Sequence, residues 1–122
     1  MKALSIKQPY AELILQGKKK IELRKWNANF RGEFLIHAAK NPDEPSMKKF
    51  GFYKLPLGEI VGKAELTNVR NYRNSKEFSE DQDLHLASQE WGSFGFILRN
   101  PVRINPPIPA KGQLGFWEFE IK

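Results

Sequence analysis

The sequence predicts an α+β fold: a small mixed β-barrel with one N-terminal helix and short peripheral helices. Apolar and polar residues alternate in several short segments, as in strands with one buried face. Only one early stretch shows helical spacing. Strands and helices also fail to alternate along the chain as a βαβ fold requires. The chain has 122 residues, 40 % of them hydrophobic. That is enough for one domain over residues 1–122 with one compact core, and too little for two.

Ala3–Ile6 reads as a short strand. Pro9 then suits a first helical position, because its φ is preset and its missing N–H is not needed there. Tyr10, Leu13 and Ile14 fall on one helical face, and Gly17 is a natural residue just past the helix end, so a helix is expected over Pro9–Gln16. Ile21–Arg24 reads as a strand, followed by turn-rich Asn27–Gly32. Glu33–Ala38 alternates, with Phe34, Ile36 and Ala38 on one face and Glu33, Leu35 and His37 on the other.

Asn41–Leu57 reads as a long loop with a helical turn near Ser46–Phe50. Glu59–Thr67 is expected to be a strand with Ile60, Gly62, Ala64 and Leu66 inward. Short helices are expected in the acidic Ser75–Ser88 stretch. Phe94–Arg99 alternates again, bringing Phe94, Phe96 and Leu98 together. Arg103–Gly112 is Pro-rich and extended, and Phe116–Ile121 ends the chain as a strand with Trp117, Phe119 and Ile121 on one face. Repeats and low-complexity segments are absent.

The formal net charge is +6. All of it lies early: residues 1–50 hold eleven Lys or Arg against five Asp or Glu, and the remainder holds nine of each sign. A positive surface attracts polyanions, although a solubilising Lys-rich surface has the same composition. The absence of cysteine excludes disulfides, thiolate metal sites and cysteine nucleophiles. His37 and His85 show no ligand spacing, so neither metal nor cofactor is expected. The N-terminus lacks the apolar core of a signal peptide, and no apolar run nears the roughly 20 residues that span a bilayer. A cytoplasmic protein without a membrane partner is expected.

The densest chemistry lies between Ser5 and Trp26. Lys18, Lys19 and Lys20 follow Gly17, and such crowded like charges are easier to understand beside an anion. On a strand, Lys20, Glu22 and Arg24 would share one face and Lys19, Ile21 and Leu23 the other, unless a loop between Gly17 and Ile21 breaks the parity. Gln8 can donate and accept at a base edge, or cap the helix. Arg24 offers a donor fork for phosphate or carboxylate, or pairs with Glu22. Trp26 can stack a base or cover the core.

The pattern LS-x-x-QPYA-x-LI-x-x-GKK-x-IE-x-R-x-W, Leu4–Trp26, resembles the opening signature of ASCH domains. It is similar to the C-terminal domain of the activating signal cointegrator family. The resemblance continues in order through RGEFLIHAAK (Arg31–Lys40), GEIVGKAEL (Gly58–Leu66), FGFILRNP (Phe94–Pro101) and KGQLGFWEF (Lys111–Phe119). ASCH domains are similar to PUA domains, which are RNA-binding barrels. The resemblance implies a PUA-like barrel with a basic cleft between the early helix and the sheet. It places Lys7, Gln8, Lys19, Glu22 and Arg24 in that cleft, with Trp26 and His37 as neighbours.

Some bacterial members hydrolyse acetylated cytidine with a lysine, a threonine and a glutamate. Matching Gly-x-Lys-x-x-Thr to GKKKIE puts Lys19 on the lysine but Glu22 on the threonine, and a carboxylate cannot replace a hydroxyl nucleophile. Glu22 or Glu65 would instead activate water beside Lys19, with Glu65 an approximate match to the second acid. Ribonuclease activity has also been linked to relatives, but paired acid–base histidines are missing here. Binding of RNA, DNA or a modified nucleoside ranks first, RNA ahead of DNA. A hydrolase of an amide-bearing nucleoside or of RNA comes second, and an adaptor for an acidic protein partner third.

Overall fold

The computed structural model describes residues 1–121. Six strands form one sheet: β1 (Lys2–Ile6), β2 (Ile21–Arg24), β3 (Gly32–Ala38), β4 (Glu59–Asn71), β5 (Phe94–Pro109) and β6 (Phe116–Glu118). Their order is β2-β5-β4-β3-β1-β6. Only β1 and β3 run parallel; the other pairs are antiparallel. Among the described residues, four short helices lie outside it: α1 (Tyr10–Leu15), α2 (Glu44–Lys49), α3 (Ser75–Glu80) and α4 (Gln82–His85), with a 3₁₀ turn at Gln89–Trp91.

Helix α1 is one residue shorter at each end than expected, and Pro9 stands at its N-cap instead of its first helical position. Gln8 supplies the cap: its Oε1 accepts from Glu12 N–H at 3.0 Å. The helix ends as Gly17 foretold. Gly17 has φ +76°, its N–H reaches the Ile14 carbonyl, and Lys18 N–H reaches back to Leu13. This Schellman arrangement satisfies the last carbonyls and turns the following lysines sharply. The helix rests on β4 because Gly62 lacks a Cβ; one built there would sit 2.4 Å from Leu15 Cδ2.

The main core combines Tyr10, Leu13 and Ile14 of α1 with Leu4, Ile6, Leu23, Phe34, Ile36, Leu66, Phe96 and Leu98 from the strands. A smaller cluster on the opposite side gathers Ala3, Leu35, Ile60 and Trp117. The alternation expected in β3 therefore holds, with both of its faces covered. In β4 the expected inward position of Ile60 is corrected: it joins the smaller cluster. A register shift between Ile60 and Gly62 reverses the parity there, which simple alternation does not foresee.

The Pro-rich stretch is extended as expected, and it continues β5 unbroken to Pro109. β2 pairs with Phe94–Ile97, so the later prolines lie beyond its ladder, and Pro106 and Pro107 fall in the register shift between Arg103 and Ile108 on the β4 side. The last strand ends at Glu118. Trp117 and Phe119 still meet, ring centroids 5.9 Å apart, but Ile121 is exposed.

Candidate functional site

The ends of the sheet, β2 and β6, do not hydrogen-bond to each other; side chains close the gap. Trp26, two residues past β2, meets Phe116 of β6 edge-to-face at 5.9 Å, and Phe96 stacks on Phe116 at 6.2 Å. Arg24 Nη2 crosses the seam to the Ser5 carbonyl at 2.8 Å. Beside this seam opens a cavity of about 720 Å³, within the range of small-molecule sites.

Aromatic side chains Tyr10, Trp26 and Trp91 line it. Trp91 is brought there by the 3₁₀ turn, whose close approach to β2 depends on Gly92. At φ +125°, a Cβ on Gly92 would lie 2.1 Å from the Arg24 carbonyl oxygen. Trp91 then packs edge-to-face on Tyr10 at 5.6 Å. The charged lining is mixed: four cations (Lys7, Lys19, Arg24, Lys25) and three carboxylates (Glu22, Asp43, Glu90).

At the centre is a buried charge network. The turn after α1 sends Lys18 and Lys20 outward and Lys19 inward, where it is 2 % exposed. Its ammonium donates to the His85 carbonyl, lies 3.6 Å from Glu22 Oε1, and sits over the Tyr10 ring at 4.8 Å. Burial pulls its pKa down to about 8, against the opposing pull of Glu22. Glu22 Oε2 accepts from Arg24 Nη2 at 2.9 Å. Among the described residues, Arg24 Nε is buried beside the cavity without a hydrogen-bond partner.

Such an arrangement can hold a planar ring against aromatic walls and meet polar edges with both donors and a carboxylate. The ASCH domain model matches residues 4–108 of this sequence. The chain belongs to the ASCH domain family. ASCH domains are related to the RNA-binding PUA-like fold. Activating signal cointegrator 1 of Homo sapiens is 31 % identical across 98 % of this chain, and the Mus musculus protein 27 % across 98 %. In both cases the chain spans only 22 % of the relative's length. Among solved structures, ASCH from Zymomonas mobilis superposes with a TM-score of 0.63 at 18 % identity, covering 88 % of this chain and 72 % of that one. A serine-to-alanine variant of the same protein gives 0.65 at 19 %, with the same coverage. At such identity these structures support the fold alone.

In this ASCH domain, Lys7, Lys19, Glu22, Arg24 and Trp26 all line the cavity. Lys7 is exposed and donates to the Asn41 carbonyl at 3.0 Å, while Trp26 both closes the seam and faces the cavity. The other three residues expected there do not line it. Gln8 is buried, its amide committed to the helix cap and the Pro56 carbonyl. His37 lies on the far side of the sheet, bonded to Ser5 Oγ at 2.9 Å and Ala110 O at 2.7 Å, because alternation in β3 points it toward Trp117. Glu65 on β4 accepts from Asn100, away from the cavity. Sequence reasoning missed Trp91, Tyr10 and Glu90 as wall residues. The available signal was Trp91 itself, a large aromatic set in the polar run Ser88–Ser93.

Proposed function

We propose that this domain binds RNA, or a modified nucleoside, by admitting one unstacked base into the seam cavity. The observation that carries this reading is the set of aromatic walls, Tyr10, Trp26 and Trp91, around the Lys19–Glu22–Arg24 network. A base is a flat ring with donors and acceptors on its edge, and single-stranded RNA is recognised mainly by stacking and edge contacts. The near balance of charge in the lining suits edge recognition better than a phosphate track. Exposed Lys7 and Lys25 at the cavity are suited to the attached phosphate.

Fluorescence anisotropy with single-stranded RNA, structured RNA and duplex DNA at low and moderate salt tests this. Single-stranded RNA is expected to bind best, and Trp91→Ala to weaken it more than Lys25→Ala. Equal binding of all three polymers, unchanged in Trp91→Ala, overturns the reading.

The depressed pKa of Lys19 beside Glu22 favours a second reading, a hydrolase of an amide-bearing nucleoside. It ranks lower because the ammonium is already engaged by a carbonyl, a carboxylate and a ring. Mass spectrometry of N4-acetylcytidine incubated with wild type and Lys19→Met decides it: turnover in the wild type alone supports hydrolysis, and none in either removes it.

A further inference from the structure

Next to the seam cavity lies a second one of about 550 Å³. Tyr10, Ala87, Glu90 and Trp91 line both, so the Tyr10–Trp91 pair forms a shared wall. The two hollows differ in character. The first holds the ion network; the second is mostly polar and uncharged. Ser75 and Ser79 present exposed hydroxyls, Gln89 an exposed amide and Lys49 an exposed ammonium. None of these four side chains makes a hydrogen bond or ion pair among the described residues; the Lys49 ammonium lies only near the Phe50 ring, at 5.4 Å. The carboxylate of Glu90 accepts from Ser88 at 3.0 Å.

A free nucleoside would leave all of these groups unused. Hydroxyls and an amide can each donate and accept, as the ribose 2′-OH requires, and an ammonium suits a phosphate. We propose that the second cavity receives the neighbouring nucleotide of a single-stranded RNA whose base occupies the first, with Trp91 standing between the two bases. Ser75, Ser79 and Gln89 hold its ribose and Lys49 its phosphate. The ligand is then an oligonucleotide, and the inference rests on the nucleotide reading of the first cavity.

Titrations of ribonucleoside monophosphates and the matching homodinucleotides, followed by NMR, test it. The best dinucleotide is expected to bind about tenfold more tightly than its mononucleotide, through the ribose and phosphate contacts of the second cavity. Lys49→Ala/Ser79→Ala removes that gain and leaves mononucleotide affinity unchanged. Equal affinities in the wild type, with the mononucleotide clearly bound, overturn the second site, as does a gain that survives in the double variant. A deoxydinucleotide that shows the full gain overturns the role given to the hydroxyls. No binding by any of them removes the reading of the first cavity and this one with it.

Discussion

Two buried glutamates of this chain end in opposite situations. Glu12 on α1 receives both arms of Arg103 at 2.8 Å each and a further bond from Gln16 at 2.9 Å. The Arg103 guanidinium holds its carboxyl below the usual range. Both carboxylate oxygens accept from protein donors, and the pair ties α1 to β5 without lining the seam cavity. Glu22 takes a single bond from Arg24, has its Lys19 neighbour at a looser 3.6 Å, and lies against that cavity. Among the described residues, Arg24 keeps an unpaired N–H, and Lys19 bears a burial penalty that Glu22 only partly offsets. A closed ion pair braces a fold, whereas one with spare donors at a cavity is arranged to meet something else.

The largest effect is expected from Arg103→Ala. It strands the Glu12 carboxylate and costs about 3 kcal/mol, the low end for a broken buried pair because Arg103 is half-exposed. Urea unfolding measures this, and RNA affinity should not move; a loss of affinity at unchanged stability would erase the distinction between the two glutamates.

The response of Lys19 to pH comes next. Its folded pKa of about 8 lies below the unfolded 10.5, so between those values the unfolded state binds more protons and stability rises with pH. The rise from this one group is on the order of 3 kcal/mol. Lys19→Met should flatten the wild-type curve across that window in urea midpoints; identical curves would mean that the amine is not desolvated.

Trp91→Ala is expected to weaken RNA binding by about 1–3 kcal/mol, the worth of a stacked base, with a smaller change in Tm. A large Tm loss and unaltered affinity would make Trp91 a packing residue only. Arg24→Lys should cost about 1 kcal/mol, because the shorter lysine does not place a donor where the planar Nη2 reaches both Glu22 and the Ser5 carbonyl. Full stability in that variant would show that the seam does not need this latch.

Much of the fold was legible because its signals are local. Alternation in β3 and at the start of β5, the helical spacing of Tyr10, Leu13 and Ile14, and the stop at Gly17 need only neighbouring residues. The site was legible in part. The Lys19–Trp26 segment is dense in charge and aromatic character, and its Lys19, Glu22, Arg24 and Trp26 do line one cavity together with Lys7. Gln8 and His37 carry polar side chains able to meet a ligand, yet a helix cap and a change of sheet face engage them elsewhere. Nothing within a few positions of either residue announces that.

By itself, the sequence determined the element types, the family signature and the early concentration of charge, since periodicity, turn chemistry and composition act over a few residues. Tertiary structure decided which polar groups remain available. Lys19 is buried against a carbonyl 66 residues away, and Trp91 reaches the cavity only because Gly92 lets its turn close on β2. Burial and pairing of charges depend on what the rest of the chain brings alongside, and periodicity carries no record of that.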